Sequence, residues 1–384
     1  MTALSLLPLA VWLYLLLGRG GFWRCGERDA SAAAGASDPA VWPDVAAVIP
    51  ARDEADMIGA SVGSLLRQDY PGAFTVTVVD DQSADATALA ASEAARGAGA
   101  ADRFRVLAGS GPPAGWTGKL WAMQQGLAAI EGKPEFVLFS DADIAYAPHM
   151  LRRLVVIARA RNSVLTSLMV KLRCESAAER WLIPAFVFFF QMLYPFPRVN
   201  DPRRPDAAAA GGCMLARREA LDAAGGLAAV RGALIDDCAL GASMKRQGPV
   251  WLGLTEDVES LRAYPAFADI RRMVARSAFA ELRYSPLRLA GAVLGMALTY
   301  LLPPLLALFG HGLAQIAGAL AWAMMAVAMA PTLRLYGRPA VAGLALPAIA
   351  AAYVGFTIQS AMDYWRGRGG YWKGRVQAPM RGAA

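Results

Sequence analysis

Histidine is scarce in this chain: two residues, His149 and His311, among 384. That leaves few ways to build a Ser-His-Asp triad or a His-based metal site, so any metal is expected on oxygen ligands. The four cysteines, Cys25, Cys174, Cys213 and Cys238, include no CxxC pair, which argues against a zinc knuckle and a disulfide framework. Charge is thin at 18%, against ~25% in an ordinary soluble domain, while 56% of residues are hydrophobic and mean hydropathy is +0.34. This apolar content excludes disorder and points to a chain partly in lipid. No GxGxxG follows the first strand-like run, so dinucleotide-dependent dehydrogenases become a minor option, and the GxxxxGK[ST] spacing that would make the segment before Lys119 a P-loop is missing. No repeat of roughly 20–50 residues is present.

The positive charge that is present is concentrated. From Arg271 onward twelve basic residues face two acidic ones, a surplus of +10 that leaves −3 for residues 1–270 within the net +7. A basic C-terminal region suits anionic lipid headgroups better than a nucleic-acid stripe, and no nucleic-acid partner is expected. Residues 1–18, MTALSLLPLAVWLYLLLG, carry no charged side chain and would reach about 27 Å as a helix, close to the ~30 Å hydrocarbon core. A membrane helix is expected there, because a cleaved signal peptide wants basic residues before the apolar run, whereas Arg19, Arg24 and Arg28 follow it. The same arginines place the next domain in the cytoplasm by the positive-inside rule. Residues 19–44 read as a linker.

Residues 45–285 have globular composition. Short apolar runs at Val45–Ile49, Thr75–Val79, Arg105–Leu107 and Phe136–Phe139 alternate with helix-like stretches near Ile58–Gln68, Asp85–Gly97 and Leu120–Glu131. That alternation predicts an α/β domain with a mostly parallel sheet. Within it, residues 181–197, WLIPAFVFFFQMLYPFP, are aromatic and broken by proline, and are expected in the headgroup layer, with a buried core helix as the rival. After Arg288, segments near 289–309, 313–333 and 340–361 are apolar enough to cross a membrane, with a turn at Gly310-His311-Gly312 and a basic tail from 363 to 384. Three crossings would put that tail outside, against the positive-inside rule; a re-entrant segment at Pro303-Pro304 or Pro347 would restore a cytoplasmic tail.

The candidate chemistry lies where strands end. The first strand runs into Arg52-Asp53-Glu54 and the second into Asp80-Asp81-Gln82-Ser83-Ala84-Asp85. Ligands of open parallel sheets sit beyond strand carboxyl ends, and carboxylates there can accept from base or ribose donors. Asp81 is expected to bind, while Ser83 or Asp85 caps the next helix. Phe136–Phe139 leads into Ser140-Asp141-Ala142-Asp143, where two carboxylates two residues apart can share one divalent cation or a cation and a ribose. Lys119, in Gly115-Trp116-Thr117-Gly118-Lys119, stands at a helix start where phosphate oxygens are favoured. Asp237, in Ile235-Asp236-Asp237-Cys238, is either a proton acceptor or an acidic first turn of a helix. For His149 a surface or capping role is expected.

Together, in this order, these blocks resemble glycosyltransferase family 2 with the GT-A nucleotide-sugar fold, over roughly residues 45–284. At finer grain GWTGKLWA, SDADI, SLMVKLRC, AAGGCML, LIDDCALG and MVARSAFAELRYS resemble the hopene-associated membrane glycosyltransferases. The resemblance implies a nucleotide pocket along Pro50, Arg52 and Glu54, with Asp80, Asp81, Lys119 and Asp141 on the nucleotide sugar. It implies Asp143, with Asp141, on Mg2+ or Mn2+, and Asp236-Asp237 as the acidic pair whose second member is the general base. Gly211, Gly212 and Arg276 would border the acceptor. Where many polysaccharide synthases carry QxxRW, this chain has Met273-Val274-Ala275-Arg276-Ser277, which disfavours a processive polymerase. Trp372-Lys373-Gly374-Arg375 resembles a terminal motif of some membrane members and would need to be cytoplasmic. The expected protein is a membrane-anchored inverting transferase that moves a sugar from a nucleotide diphosphate sugar to a membrane lipid. The alternatives are transfer to a polyprenyl phosphate, or a membrane assembly or transport protein that only senses a nucleotide.

Overall fold

The computed structural model describes residues 2–373 and 375–376. The chain divides into two compact units, Glu27–Arg173 with Arg198–Ala263, and Met1–Gly26 with Cys174–Pro197 and Tyr264–Ala384. The first is the α/β unit. Its eight-stranded sheet consists of β1 (Val45–Ala51), β2 (Phe74–Asp80), β3 (Phe104–Ala108), β4 (Phe136–Ser140), β5 (Ile144–Tyr146), β6 (Leu165–Lys171), β7 (Cys213–Arg217) and β8 (Val250–Ser260), in the order β3-β2-β1-β4-β7-β6-β8-β5.

The four strands anticipated from apolar runs form the parallel half, β3 to β4. Their centres read as continuous apolar stretches because helices cover both faces: every residue of β1 and β4 is buried. The helices Ala55–Leu66, Thr87–Gly97 and Gly118–Ala128 fall close to the expected positions. Beyond β4 the sheet becomes mixed. β7 runs antiparallel to β4 and β6, β6 runs parallel to β8, and β5 closes the edge antiparallel to β8.

The unit's boundaries differ from the expected 45–285. The residues read as a linker are partly built into the sheet unit: Leu254 N donates to Glu27 O at 2.8 Å, and the buried Asp29, at the start of the short helix Asp29–Ala33, pairs with Arg153 at 2.7 Å. A carboxylate removed from water must be paired, and this pair ties the segment down. Residues 174–197 and everything from Tyr264 belong to the other unit.

That second unit is helical. Residues expected in the headgroup layer form a continuous helix, Ala177–Leu193, running through Pro184, with Leu182, Ile183, Phe188 and Phe189 buried. A capping box between Ser176 and Glu179 starts it. Its aromatic side chains find partners inside the unit, Phe188 against Phe22 and Phe189 against Tyr300 and Tyr353, and this packing offsets the backbone bond that Pro184 removes. Four helices are long and apolar enough to cross a membrane: Ala177–Val199, Pro286–Phe309, Leu313–Leu335 and Ala340–Trp365. The last three follow the expected segments and turn at Gly310-His311-Gly312. A π-helical turn, Ala297–Leu301, precedes Pro303-Pro304 and absorbs the disruption the prolines bring.

At the N-terminus the helix Thr2–Leu13 continues as a π-turn to Gly18. Its apolar stretch Ser5–Gly18 is shorter than the four candidate spans, about 21 Å at ~1.5 Å per residue. Trp12 is buried and donates to Thr299 O at 2.8 Å, and Arg19 donates to Met192 O at 3.2 Å. Near the C-terminus Tyr371–Trp372 pairs antiparallel with Arg375–Val376, whereas Gly374, and with it the intact Trp-Lys-Gly-Arg string, and Arg381 lie outside the described residues.

Candidate active site

The carboxyl ends of β1, β2 and β4 carry the predicted acidic loops. Because β7 is antiparallel to β4, with Ser140 opposite Cys213, the chain entering β7 at Gly211 and Gly212 comes to the same sheet edge. β8 also ends there: its terminal Ser260 pairs with Ile144 of β5, just after Asp143. Topology therefore gathers residues scattered from 52 to 262.

The first two loops interlock. Asp53 and Gln82 both adopt left-handed backbone, φ 50° and 58°. Asp53 N donates to Ser83 Oγ at 3.0 Å, while Asp53 Oδ1 accepts from Ala84 N at 2.7 Å. Asp80 accepts from Ser83 N at 3.0 Å, so its carboxylate braces the turn. Asp85 accepts from Thr87 N and from Ala55 N, but the N-cap of the helix Thr87–Gly97 is Ala86, so neither Ser83 nor Asp85 is the cap that was expected. Asp81 is 1% exposed, and Arg52 donates to its backbone carbonyl at 2.6 Å with the carboxylate 4.0 Å away. Pro50 lies buried in β1 opposite Val79, past the last residue that pairs with β4, where its missing N–H interrupts no bond to that strand.

At the next strand end, Thr117 caps the helix Gly118–Ala128, which is pressed onto the sheet. A Cβ at Gly126 would stand 2.4 Å from Val48 Cγ1, so only glycine permits that approach. The helix presents Lys119 Nζ to Asp141 Oδ1 at 2.8 Å and to Asp236 Oδ2 at 3.2 Å. Burial works against the Lys119 charge, but Asp141, Asp236 and Asp237 outweigh it and hold the ammonium protonated. Asp141 is raised above the usual carboxylate range by burial and by Asp143, with Lys119 opposing.

Asp237 is held on both oxygens by backbone: Gly211 N donates to Oδ2 at 2.9 Å and Cys238 N to Oδ1 at 2.7 Å. Burial, then the neighbouring Asp236, push it up to about 6, while Lys119 and the two amides pull the other way. A Cβ at Gly211 would stand 3.3 Å from both Asp237 Oδ2 and Lys119 Nζ, so Gly211 adjoins the acid and the cation together. Gly212 instead packs against Val170 and Ile144. Asp143, 8% exposed, accepts from Arg262 Nε at 2.8 Å, and the same guanidinium reaches Glu54, 7% exposed, at 2.6 Å.

Of the predicted residues, the structure joins Lys119, Asp141, Asp236, Asp237 and Gly211 in one cluster, and Glu54 with Asp143 in another through Arg262. Arg276 belongs to the helical unit, where it is exposed after the helix Phe267–Ala275. His149 meets Asp257 at 3.3 Å, in an ion-pair network with Arg153 outside both clusters. Arg262 was not anticipated; the signal for it was the basic residue just after the long run Val250–Ser260, had that run been read as a strand.

Among the described residues no three His, Cys, Asp or Glu side chains form a group able to hold a metal by themselves. Mg2+ is commonly held by one or two carboxylates, with substrate phosphates and water completing the shell. Asp141 and Asp143, two apart past one strand, supply that number of carboxylates, each beside a resident cation, Lys119 and Arg262.

A mixed-sheet α/β unit with acidic and basic side chains converging past its strand ends is the architecture of a nucleotide-binding domain. The profile of the family described as Glycosyltransferase like family 2 matches residues 43–252. The chain belongs to that family. No curated protein matches it. Solved structures with a similar fold include the mannosyltransferase PcManGT from Pyrobaculum calidifontis in complex with GDP-Man and Mn2+. It is 19% identical, with TM-score 0.54 over 94% of this chain and 98% of that one. S. aureus TarS aligns at 15% identity and TM-score 0.41 over 84% of this chain and 55% of its own. Glucosyl-3-phosphoglycerate synthase from Mycobacterium tuberculosis, in complex with Mg2+ and uridine-diphosphate, aligns at 17% and 0.39 over 66% and 80%. At these identities the first likeness shows the fold, a GT-A-like one.

Proposed function

We propose that the protein is a membrane-anchored inverting glycosyltransferase that moves one sugar from a nucleotide diphosphate sugar to a lipid acceptor. The observation that carries this reading is the cluster in which Lys119, Asp141, Asp236 and Asp237 meet from three separate elements. Asp237 is the general base. Its two backbone donors fix the carboxylate, and a value of about 6 leaves it mostly ionised at neutral pH yet basic enough to take a hydroxyl proton. Lys119 meets the donor's phosphates beside a helix N-terminus. Asp81 and Arg52 hold the nucleoside end, with Asp80 bracing their loop and Glu54 positioned by Arg262. A divalent cation, Mg2+ or Mn2+, would be held by Asp143 and Asp141 and would neutralise the departing diphosphate.

Four apolar helices of spanning length support a lipid acceptor, and the strings that resemble those of hopene-associated members favour an isoprenoid or hopanoid-related one. Arginines after the N-terminal apolar helix support a catalytic domain on the cytoplasmic side of the inner membrane. Asp237→Asn is the discriminating variant. A loss of roughly 10²-fold or more in turnover, within the usual range for a general base, supports transfer to a hydroxyl. Near-wild-type turnover would reassign the acceptor to a polyprenyl phosphate, which is already anionic.

A further inference from the structure

Arg262 lies two residues past the end of β8, and its guanidinium spans carboxylates from two other strand ends. Nε donates to Asp143 Oδ2 at 2.8 Å, and Nη2 donates to Glu54 Oε1 and Oε2 at 2.6 and 2.7 Å. The loop that carries it is tied to the same place, because Leu261 N donates to the Asp143 carbonyl at 2.7 Å. Glu54 and Asp143 are both nearly out of water, and carboxylates so buried need a counter-charge.

Among the described residues seven carboxylates (Asp53, Glu54, Asp81, Asp141, Asp143, Asp236, Asp237) face three cations (Arg52, Lys119, Arg262) in the two clusters and the Arg52 pairs. Lys119 is committed to Asp141 and Asp236, and Arg52 to the Asp81 loop. Among the described residues Arg262 is the cation paired with Asp143, the carboxylate assigned to the divalent cation. A guanidinium hydrogen-bonded to one oxygen and a divalent ion on the same carboxylate repel each other over a few ångströms. A dianionic diphosphate with a divalent cation adds no net charge, whereas the cation alone must compete with Arg262.

We propose that Arg262 is the resident counter-ion of the cation site. It holds Asp143 and Glu54 in place, weakens binding of a divalent cation on its own, and is released toward the diphosphate when cation and donor bind together. Its side chain is 28% exposed, so part of the guanidinium arm already meets solvent. Arg262 is a positioning residue, and the inference rests on the assignment of Asp143 to the cation.

The test is Mn2+ binding to purified full-length protein in lipid nanodiscs, read by the EPR signal of free Mn2+, without nucleotide and then with each of UDP, GDP, ADP and CDP. In wild type, Mn2+ alone should bind weakly and one nucleotide should tighten it. Arg262→Met should bind Mn2+ alone about tenfold or more tightly than wild type, with a smaller gain from nucleotide. Arg262→Lys, whose point charge cannot bridge both carboxylates, should fall between and decides the matter if the methionine variant does not fold. Adding Asp143→Asn to Arg262→Met should abolish the gain. Unchanged or weaker Mn2+ binding in the folded Arg262 variants, with nucleotide-assisted binding intact in wild type, overturns the role of Arg262 alone. Wild type that binds no Mn2+ with any nucleotide overturns the cation assignment itself and this inference with it.

Discussion

Replacing Lys119 with methionine removes the cation that meets Asp141 at 2.8 Å and Asp236 at 3.2 Å and leaves three neighbouring carboxylates facing one another. Breaking a buried ion pair costs ~3–5 kcal/mol. Asp141 is 35% exposed, so water screens part of the loss and the lower end, about 3 kcal/mol, applies. For a unit of this size, at ~2–4 °C per kcal/mol, the melting midpoint should fall by about 6–12 °C near pH 7. The pH dependence is the sharper signature. Asp141 and Asp237 already titrate above the ordinary range of an unfolded chain, so the folded state holds extra protons in that window and loses stability as pH rises through it. Lys119 pulls both downward, and without it both rise further. The gap between wild type and variant should therefore be small at pH 5, where protons replace the lost ammonium, and largest at pH 8. Thermal unfolding of the full-length protein in nanodiscs at pH 5, 6, 7 and 8 reads this directly, and Asp141→Asn in the same chain should recover part of the loss. A midpoint shift that is absent, or equal at every pH, refutes the charge balance assigned to the cluster.

Further outcomes follow from the same geometry. With Asp237 at about 6, kcat/KM should fall tenfold per pH unit below that value as the base becomes protonated, and Asp237→Asn should remove this acid limb from whatever activity remains. Asp143→Asn should abolish metal-dependent turnover in protein that still unfolds cooperatively; full activity would refute its placement on the cation. Gly126→Ala puts a Cβ 2.4 Å from Val48 Cγ1 and should destabilise the α/β unit by ~1–3 kcal/mol, read as a lowered midpoint. Impermeant labelling of a cysteine introduced at Arg381, from each side of intact vesicles, decides between the two topologies: cytoplasmic labelling supports a re-entrant segment, and labelling from the other side supports three crossings.

The parallel half of the sheet was legible because each of its strands is a local apolar run closed by acids, and β1, β2 and β4 end within one or two residues of the expected places. The Lys119 helix and the acidic pair at 236 and 237 were legible as motifs. The mixed half was not. β6 carries Thr166 and Ser167 in its buried interior, and β8 switches from a buried run to an alternating one midway, so neither shows a single period. Arg262 reaches Glu54, 208 residues away, and only the strand order brings them together. The helix Ala177–Leu193 read as an interfacial segment because its partners, Phe22, Tyr300 and Tyr353, are distant in sequence.

The most direct test of the proposed activity is nucleoside diphosphate release by purified protein in lipid. Mn2+ or Mg2+, a panel of nucleotide sugars, and extracted isoprenoid lipids present or withheld make up the assay. The expected result is release with one donor that depends on both cation and lipid and is lost in Asp143→Asn. Tight binding of one donor with no release under any lipid would contradict a transferase and leave a nucleotide-sensing membrane protein in its place.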